Sequence, residues 1–180
     1  MKPLKMLTLF LIQASCAGSG PDLGRAEQDF TRGTNRYDQG DFEAAIEDFT
    51  SAIKNDPNHA RAYNNRGLTR AALRDFEGAV LDYKTSIAIH GGLAEPFYNR
   101  GVSFLLLKHC ANAIADFTEA IRINPRYASA FAGRGLAHSA EGNSPSALAD
   151  FRRALELAPP EWADRKSVEA EVLRLSQPTK

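Results

Sequence analysis

Along residues 26–161 the apolar and polar positions recur with a period of 34 residues and no insertion. Four segments, 26–59, 60–93, 94–127 and 128–161, align from Ala26, Ala60, Ala94 and Ala128. The eighth position is Gly33, Gly67, Gly101 and Gly135, and the twentieth is Ala45, Ala79, Ala113 and Ala147. The twenty-fourth holds Phe49, Tyr83, Phe117 and Phe151, and the twenty-seventh Ala52, Ser86, Ala120 and Ala154. Each segment reads as two helical stretches parted by turn or cap residues, such as Gly40-Asp41, Asp75 and Gly142-Asn143-Ser144-Pro145. Asn143 or Ser144 can cap the second helix of the fourth segment, with Pro145 in its first turn. Segments end at Pro57, Pro125 and Pro159, or at Gly91-Gly92, none of which continues a helix well. Small residues at positions eight, twenty and twenty-seven let two antiparallel helices approach closely, and the aromatic at twenty-four fills the space beside them. A lone hairpin of this kind cannot bury both faces, so neighbours must stack. Beyond Pro159-Pro160, Val168, Val172 and Leu175 keep helical spacing and predict a capping helix over 162–176, followed by a tail at 177–180.

A second regularity concerns charge. Position seven is Arg32, Arg66, Arg100 and Arg134, and position twenty-three is Asp48, Asp82, Asp116 and Asp150. With the hairpin turn near position fifteen, these two sites lie at the same height on facing helices. The expectation is one structural ion pair per segment, contributing about 0.2–1 kcal/mol if exposed and more if partly desolvated with good Arg fork geometry.

Small, small, aromatic, small and proline at these intervals, four times in phase, resemble the tetratricopeptide repeat. The resemblance covers residues 26–161 and implies an all-α, right-handed superhelical solenoid of four helix hairpins plus a C-terminal capping helix. It also implies a non-enzymatic scaffold that binds a protein or peptide partner in a concave groove lined by the first helices. Departures from the pattern are informative. Asp29 and Arg36 replace aromatic positions in the first repeat, as the polar outer face of a terminal repeat requires. In the third repeat His109-Cys110 replaces the usual start of the second helix, and Lys108 stands where Gly is common.

In such a groove positions two, five, six, nine and twelve point inward. They supply Phe30, Tyr37, Asn65, Leu68, Tyr98, Asn99, Val102 and Leu105 as candidate peptide-binding residues. Phe30 and Tyr37 have an alternative place in the core, whereas Tyr98 is expected to lie free of it. Chaperone adaptors of the family grip an acidic carboxyl terminus with a Lys/Asn/Arg clamp. This chain offers Phe30, Thr34, Asn65, Glu95 and Asn99 at those positions, so the clamp is absent. The groove is mostly apolar, which suits an apolar peptide or helix. The same stripe suits a homo-oligomer contact in a self-assembling module.

The first 17 residues read as a signal peptide: Lys2 and Lys5, an apolar run from Met6 to Ile12, then small residues. Residues 18–25 form a linker. Two processing routes are open, cleavage after Ala17 or lipidation of Cys16, since Gln13-Ala14-Ser15-Cys16 resembles the bacterial lipoprotein box. Export predicts a periplasmic or outer-membrane-anchored protein, with the membrane touched only through Cys16. A cytoplasmic location follows if the segment is no signal. The resemblance to exported tetratricopeptide scaffolds favours a cell-envelope partner.

Composition narrows the chemistry. Lys plus Arg and Asp plus Glu each number 22, so no basic excess marks a nucleic-acid partner. Two cysteines are too few for a disulfide scaffold. His59, His90, His109 and His138 show none of the paired spacings of a metal site, and no metal or cofactor is expected. His109 and Cys110 are neighbours that point about 100° apart on a helix, so they do not form a nucleophile–base pair. Once signal, repeats and cap are subtracted, no residues remain for a catalytic domain, so an enzyme is not expected.

Overall fold

The computed structural model describes residues 20–177. The signal-like segment 1–17, with Cys16, lies outside the described residues. The described chain is all-α: α1 (Leu23–Asp38), α2 (Phe42–Asn55), α3 (Ala60–Ala72), α4 (Phe76–Ile89), α5 (Ala94–Leu106), α6 (Cys110–Ile123), α7 (Ala128–Ala140), α8 (Ser144–Leu157) and α9 (Arg165–Ser176). Each helix packs on its predecessor and its successor, which makes a solenoid of four hairpins closed by α9.

Local chemistry sets the helix ends. Asp22 accepts from the Arg25 amide at 3.0 Å, Asp75 from Gly78 at 2.9 Å and Asn143 from Ser146 at 3.2 Å, each satisfying an orphan N–H of a first turn. The turn inside every hairpin has one residue in the left-handed region: Gly40 (φ 80°), Arg74 (65°), Lys108 (62°) and Gly142 (77°). Glycine adopts that conformation freely. Arg74 and Lys108 hold it against their own Cβ atoms. Between hairpins, Asp56 accepts from the Asn58 amide at 3.0 Å and Asn124 from Arg126 at 3.1 Å. His90, at the equivalent place before Gly91-Gly92, braces no turn in this way among the described residues.

The period is a packing code. Phe49, Phe117 and Phe151 are fully buried and Tyr83 nearly so. A Cβ added to Gly33, Gly67, Gly101 or Gly135 would meet the ring of its own hairpin at 2.9, 2.8, 2.9 or 2.7 Å. Only glycine lets the first helix lie that close to the aromatic. Phe117 is approached a second time, by Gly133 of the next hairpin, where an added Cβ would come within 2.7 Å.

The arginine–aspartate ladder runs beside this core. Arg66 donates from Nε and Nη2 to both oxygens of Asp82 at 2.9 and 2.7 Å. Arg100 forks onto Asp116 at 2.7 and 2.7 Å, and Arg134 onto Asp150 at 2.9 and 2.8 Å. Arg32 reaches Asp48 from Nε at 2.8 Å. All four aspartates are buried, so the pairs are the partly desolvated kind rather than exposed ones. Removing Arg100 or Arg134 would strand a buried carboxylate, a change that costs about 3–5 kcal/mol in buried pairs, whereas Asp48 and Asp82 would keep Arg36 at 3.0 Å and Arg70 at 2.8 Å. Two arginines also reach back to the preceding hairpin, Arg66 to Thr50 at 3.0 Å and Arg134 to Thr118 at 3.1 Å. Lys84 occupies the matching position behind Arg100 and cannot accept such a bond.

The ends differ from the middle. Asp29 takes the place of Tyr63, Phe97 and Phe131, over whose rings Arg66, Arg100 and Arg134 lie. It is only 4% exposed, so it is not the solvent-facing residue that a polar outer surface implied. Arg32 and Ser51 donate to it at 2.6 Å each, and Asn55 at 3.0 Å. At the other end Trp162, Val168, Val172 and Leu175 cover the side of α8 around Phe151 and Ala154. Arg165 Nη2 donates to the Ala158 and Leu155 carbonyls at 2.8 and 3.1 Å, satisfying groups at the end of α8.

Candidate functional site

Because consecutive helices alternate in direction, α5, α7 and α9 run side by side with the same polarity. Between them lies a cavity of about 420 Å³. Its apolar wall is Tyr98, Val102, Leu105 and Leu106 from α5, Ala132, Gly133 and Leu136 from α7, and Val168 from α9. Leu106 and Leu136 are 56% and 45% exposed, two large apolar side chains facing one opening. Among the described residues no Lys or Arg lines it; Asp164 and Glu171 on the α9 side are its charged groups.

Three of the predicted groove residues, Tyr98, Val102 and Leu105, are brought together here. Tyr98 is also half-buried, its ring 5.8 Å from Phe117 and 4.9 Å from Tyr127, so it braces the core as well as the groove. The expectation that it lies free of the core is therefore corrected. Asn65 and Asn99 join a chain of amides: Asn99 donates to Asn64 at 3.2 Å, and Asn64 donates to Asn65 at 3.3 Å. They belong to the α3–α5 side and do not line the cavity. Leu68, half-buried on α3, does not line it either.

Phe30 and Tyr37 fall outside this site. Phe30 lies 5.9 Å from Phe49 and 4.9 Å from His59, with the Arg61 guanidinium 4.8 Å above its ring. It joins the first hairpin to the second. Tyr37 packs 5.4 Å from Phe42 within its own hairpin. The part that sequence reasoning misses is the α9 wall. Helical spacing predicts Trp162 to Ser176 only as a lid on α8, because its polar residues lie outside the 34-residue period.

Other chemistry is sparse. His109 is exposed just before α6, and Cys110 is half-buried as its first residue. Among the described residues no group of three or more His, Cys, Asp or Glu is placed to hold a metal ion. No described helix is long and apolar enough to cross a membrane.

Stacked helix hairpins with an apolar opening on the face of their first helices define a protein–protein interaction scaffold. The chain belongs to the tetratricopeptide repeat family, whose model matches residues 30–93 and 98–161. Members of this family are typically non-enzymatic scaffolds. Among solved structures it is similar to MamA, at 21% identity and a TM-score of 0.72 over 84% of this chain and 87% of that one. It is similar to TTC0263, a thermophilic tetratricopeptide protein of Thermus thermophilus, at 22% identity and 0.67 over 83% and 80%. The Arabidopsis OM64 tetratricopeptide domain aligns at 28% identity and 0.61 over 65% and 93%. These likenesses concern the fold. No curated protein matches the chain significantly.

Proposed function

We propose that this protein holds an apolar peptide or helix of a partner protein in the opening between α5, α7 and α9. The observation that carries the reading is the pair of exposed leucines, Leu106 and Leu136, at one cavity among the described residues. A leucine left in water forgoes the stabilisation that burial brings, and a partner's side chains recover it. Leu106→Ala and Leu136→Glu test this best, because neither side chain is core. Both variants should melt like wild type yet lose capture of a partner cross-linked through the groove. Normal capture would move the search to the convex face.

The partner is proposed to be a cell-envelope protein, a reading supported by the Lys2–Ala17 pattern of charge, apolar run and small residues. Intact-mass measurement on protein from its native cells decides between a chain beginning at lipidated Cys16 and one beginning at Gly18. Recovery of a soluble chain that retains Met1 refutes export. The same leucines would serve self-assembly, and light scattering on the purified protein distinguishes that case by a dimer that survives dilution.

A further inference from the structure

The proposed groove is uneven in charge. Leu105, Leu106 and Leu136 sit toward the C-terminal ends of α5 and α7, whereas Glu95, Tyr98, Tyr127 and Asp164 cluster at the N-terminal ends of α5, α7 and α9. Since these helices share one polarity, the second group forms a single edge. There the rings of Tyr98 and Tyr127 lie 4.9 Å apart, tilted by 38°.

Two carboxylates at this edge have no cation among the described residues. Asp164 is the N-cap residue of α9, yet its side chain makes no capping bond, and it is exposed. Glu95 has only a long contact, 3.5 Å, with the Asn64 amide. The third carboxylate nearby, Glu171, is different: it is paired with Arg174 at 2.7 Å. The tyrosines feel both free charges. Burial first, and then the Asp164 charge, raises the Tyr98 hydroxyl above its ordinary value. Burial, then Tyr98 and Glu95, raises Tyr127. An aromatic pair flanked by two uncompensated negative charges forms the environment that an ammonium or guanidinium completes, through charge-assisted hydrogen bonds and packing of its aliphatic stem on the rings.

We propose that the groove's occupant is a cationic-apolar segment: large apolar side chains in the leucine-lined half, and a Lys or Arg at the Tyr98–Tyr127 edge between Glu95 and Asp164. This rests on the groove being the binding face. It adds a direction, because the basic residue can sit at only one end of the apolar anchors. It also adds discrimination, since an acidic residue at that end would meet two carboxylates.

The test uses a random 12-residue peptide library displayed on phage, selected on the full-chain protein and counter-selected on Leu136→Glu. Enriched peptides should carry apolar anchors with Lys or Arg on one side. Replacing that residue by Gln in the best peptide should weaken binding about five- to tenfold at low salt, the scale of one or two exposed ion pairs. On the double variant Glu95→Gln/Asp164→Asn the two peptides should bind within twofold of each other, with melting curves unchanged. Apolar enrichment without basic residues, or a Lys preference that survives on the double variant, overturns the cationic assignment and leaves the groove standing. If nothing enriched depends on Leu136, the groove reading itself falls, and this inference falls with it.

Discussion

Replacing Gly101 by alanine sets two effects of opposite sign against each other. In an exposed helix interior, Gly→Ala stabilises by about 0.8–1 kcal/mol, because alanine loses less backbone entropy. At Gly101 the new Cβ would lie 2.9 Å from Phe117 Cε1 and 3.0 Å from Cδ1, about half an ångström inside ordinary contact. The ring is fully buried, and Gly133 of the next hairpin closes on the same edge, so it has nowhere to turn. Overpacking of this kind costs about 1–3 kcal/mol, and the absence of an escape puts Gly101 at the upper end. After the propensity gain, the variant should be less stable by about 2 kcal/mol, a fall in Tm of about 4–8 °C. Urea titration followed by far-UV circular dichroism reads this as a lower midpoint at unchanged slope. Gly24→Ala is the control, since its nearest neighbour is Asp22 at 3.7 Å, and it should be neutral or stabilising. Adding Phe117→Leu should make the double variant less costly than the sum of its parts, with a coupling of about 1 kcal/mol. A Gly101→Ala protein as stable as wild type would refute the claim that the period encodes this contact.

Arg74→Gly and Lys108→Gly relieve the left-handed turns and should each stabilise by about 0.5–1 kcal/mol, the strain released less the entropy that glycine adds to the unfolded chain; a lower melting temperature in both would count against strain there. Asp29 titrates low: burial pushes its carboxyl up, but hydrogen bonds from Ser51 and Arg32 and the charges of Arg32 and Arg25 outweigh this and leave it below 3.8. Its contribution is therefore complete above about pH 4 and lost as pH falls through the folded value, so Asp29→Asn should flatten the fall in urea midpoint below about pH 4. An acid profile unchanged by Asp29→Asn would show that the network does not hold the charge. Deleting residues from Trp162 onward uncovers the face of α8 around Phe151, and the truncated protein should melt several degrees lower or lose solubility; an unchanged melt would show that α9 contributes nothing.

The parts of this fold that are legible in the sequence are those whose partners repeat with the period. Gly101 and Phe117 stand sixteen residues apart in one hairpin, as do Arg100 and Asp116, so each contact is written four times. What escapes is aperiodic. Asp29 reads as a surface residue because Ser51 and Asn55, which satisfy it, stand 22 and 26 residues away and occur in that role once. Register alone places Tyr98 in the groove, but its core contact depends on Gly133 leaving room for the Phe117 ring. The groove itself is half visible: α5 follows from the period, while the α9 wall depends on how a helix outside the period docks.

The turn at residues 90–93 has a mechanical consequence. Side-chain hydrogen bonds close the turns at Asp56 and Asn124, and the reach of Arg66 and Arg134 to the threonines behind them adds a second strut at each. His90 to Leu93 has neither strut, and Lys84 denies Arg100 its threonine. The joint there is tied instead through side-chain amides, Asn99 of α5 donating to Asn64 of α3 at 3.2 Å. The cavity, from Tyr98 to Glu171, lies wholly on the C-terminal side of that joint. None of the amides that tie the joint lines the cavity, so an occupant can fill the apolar opening without displacing the bonds that hold the second hairpin to the third.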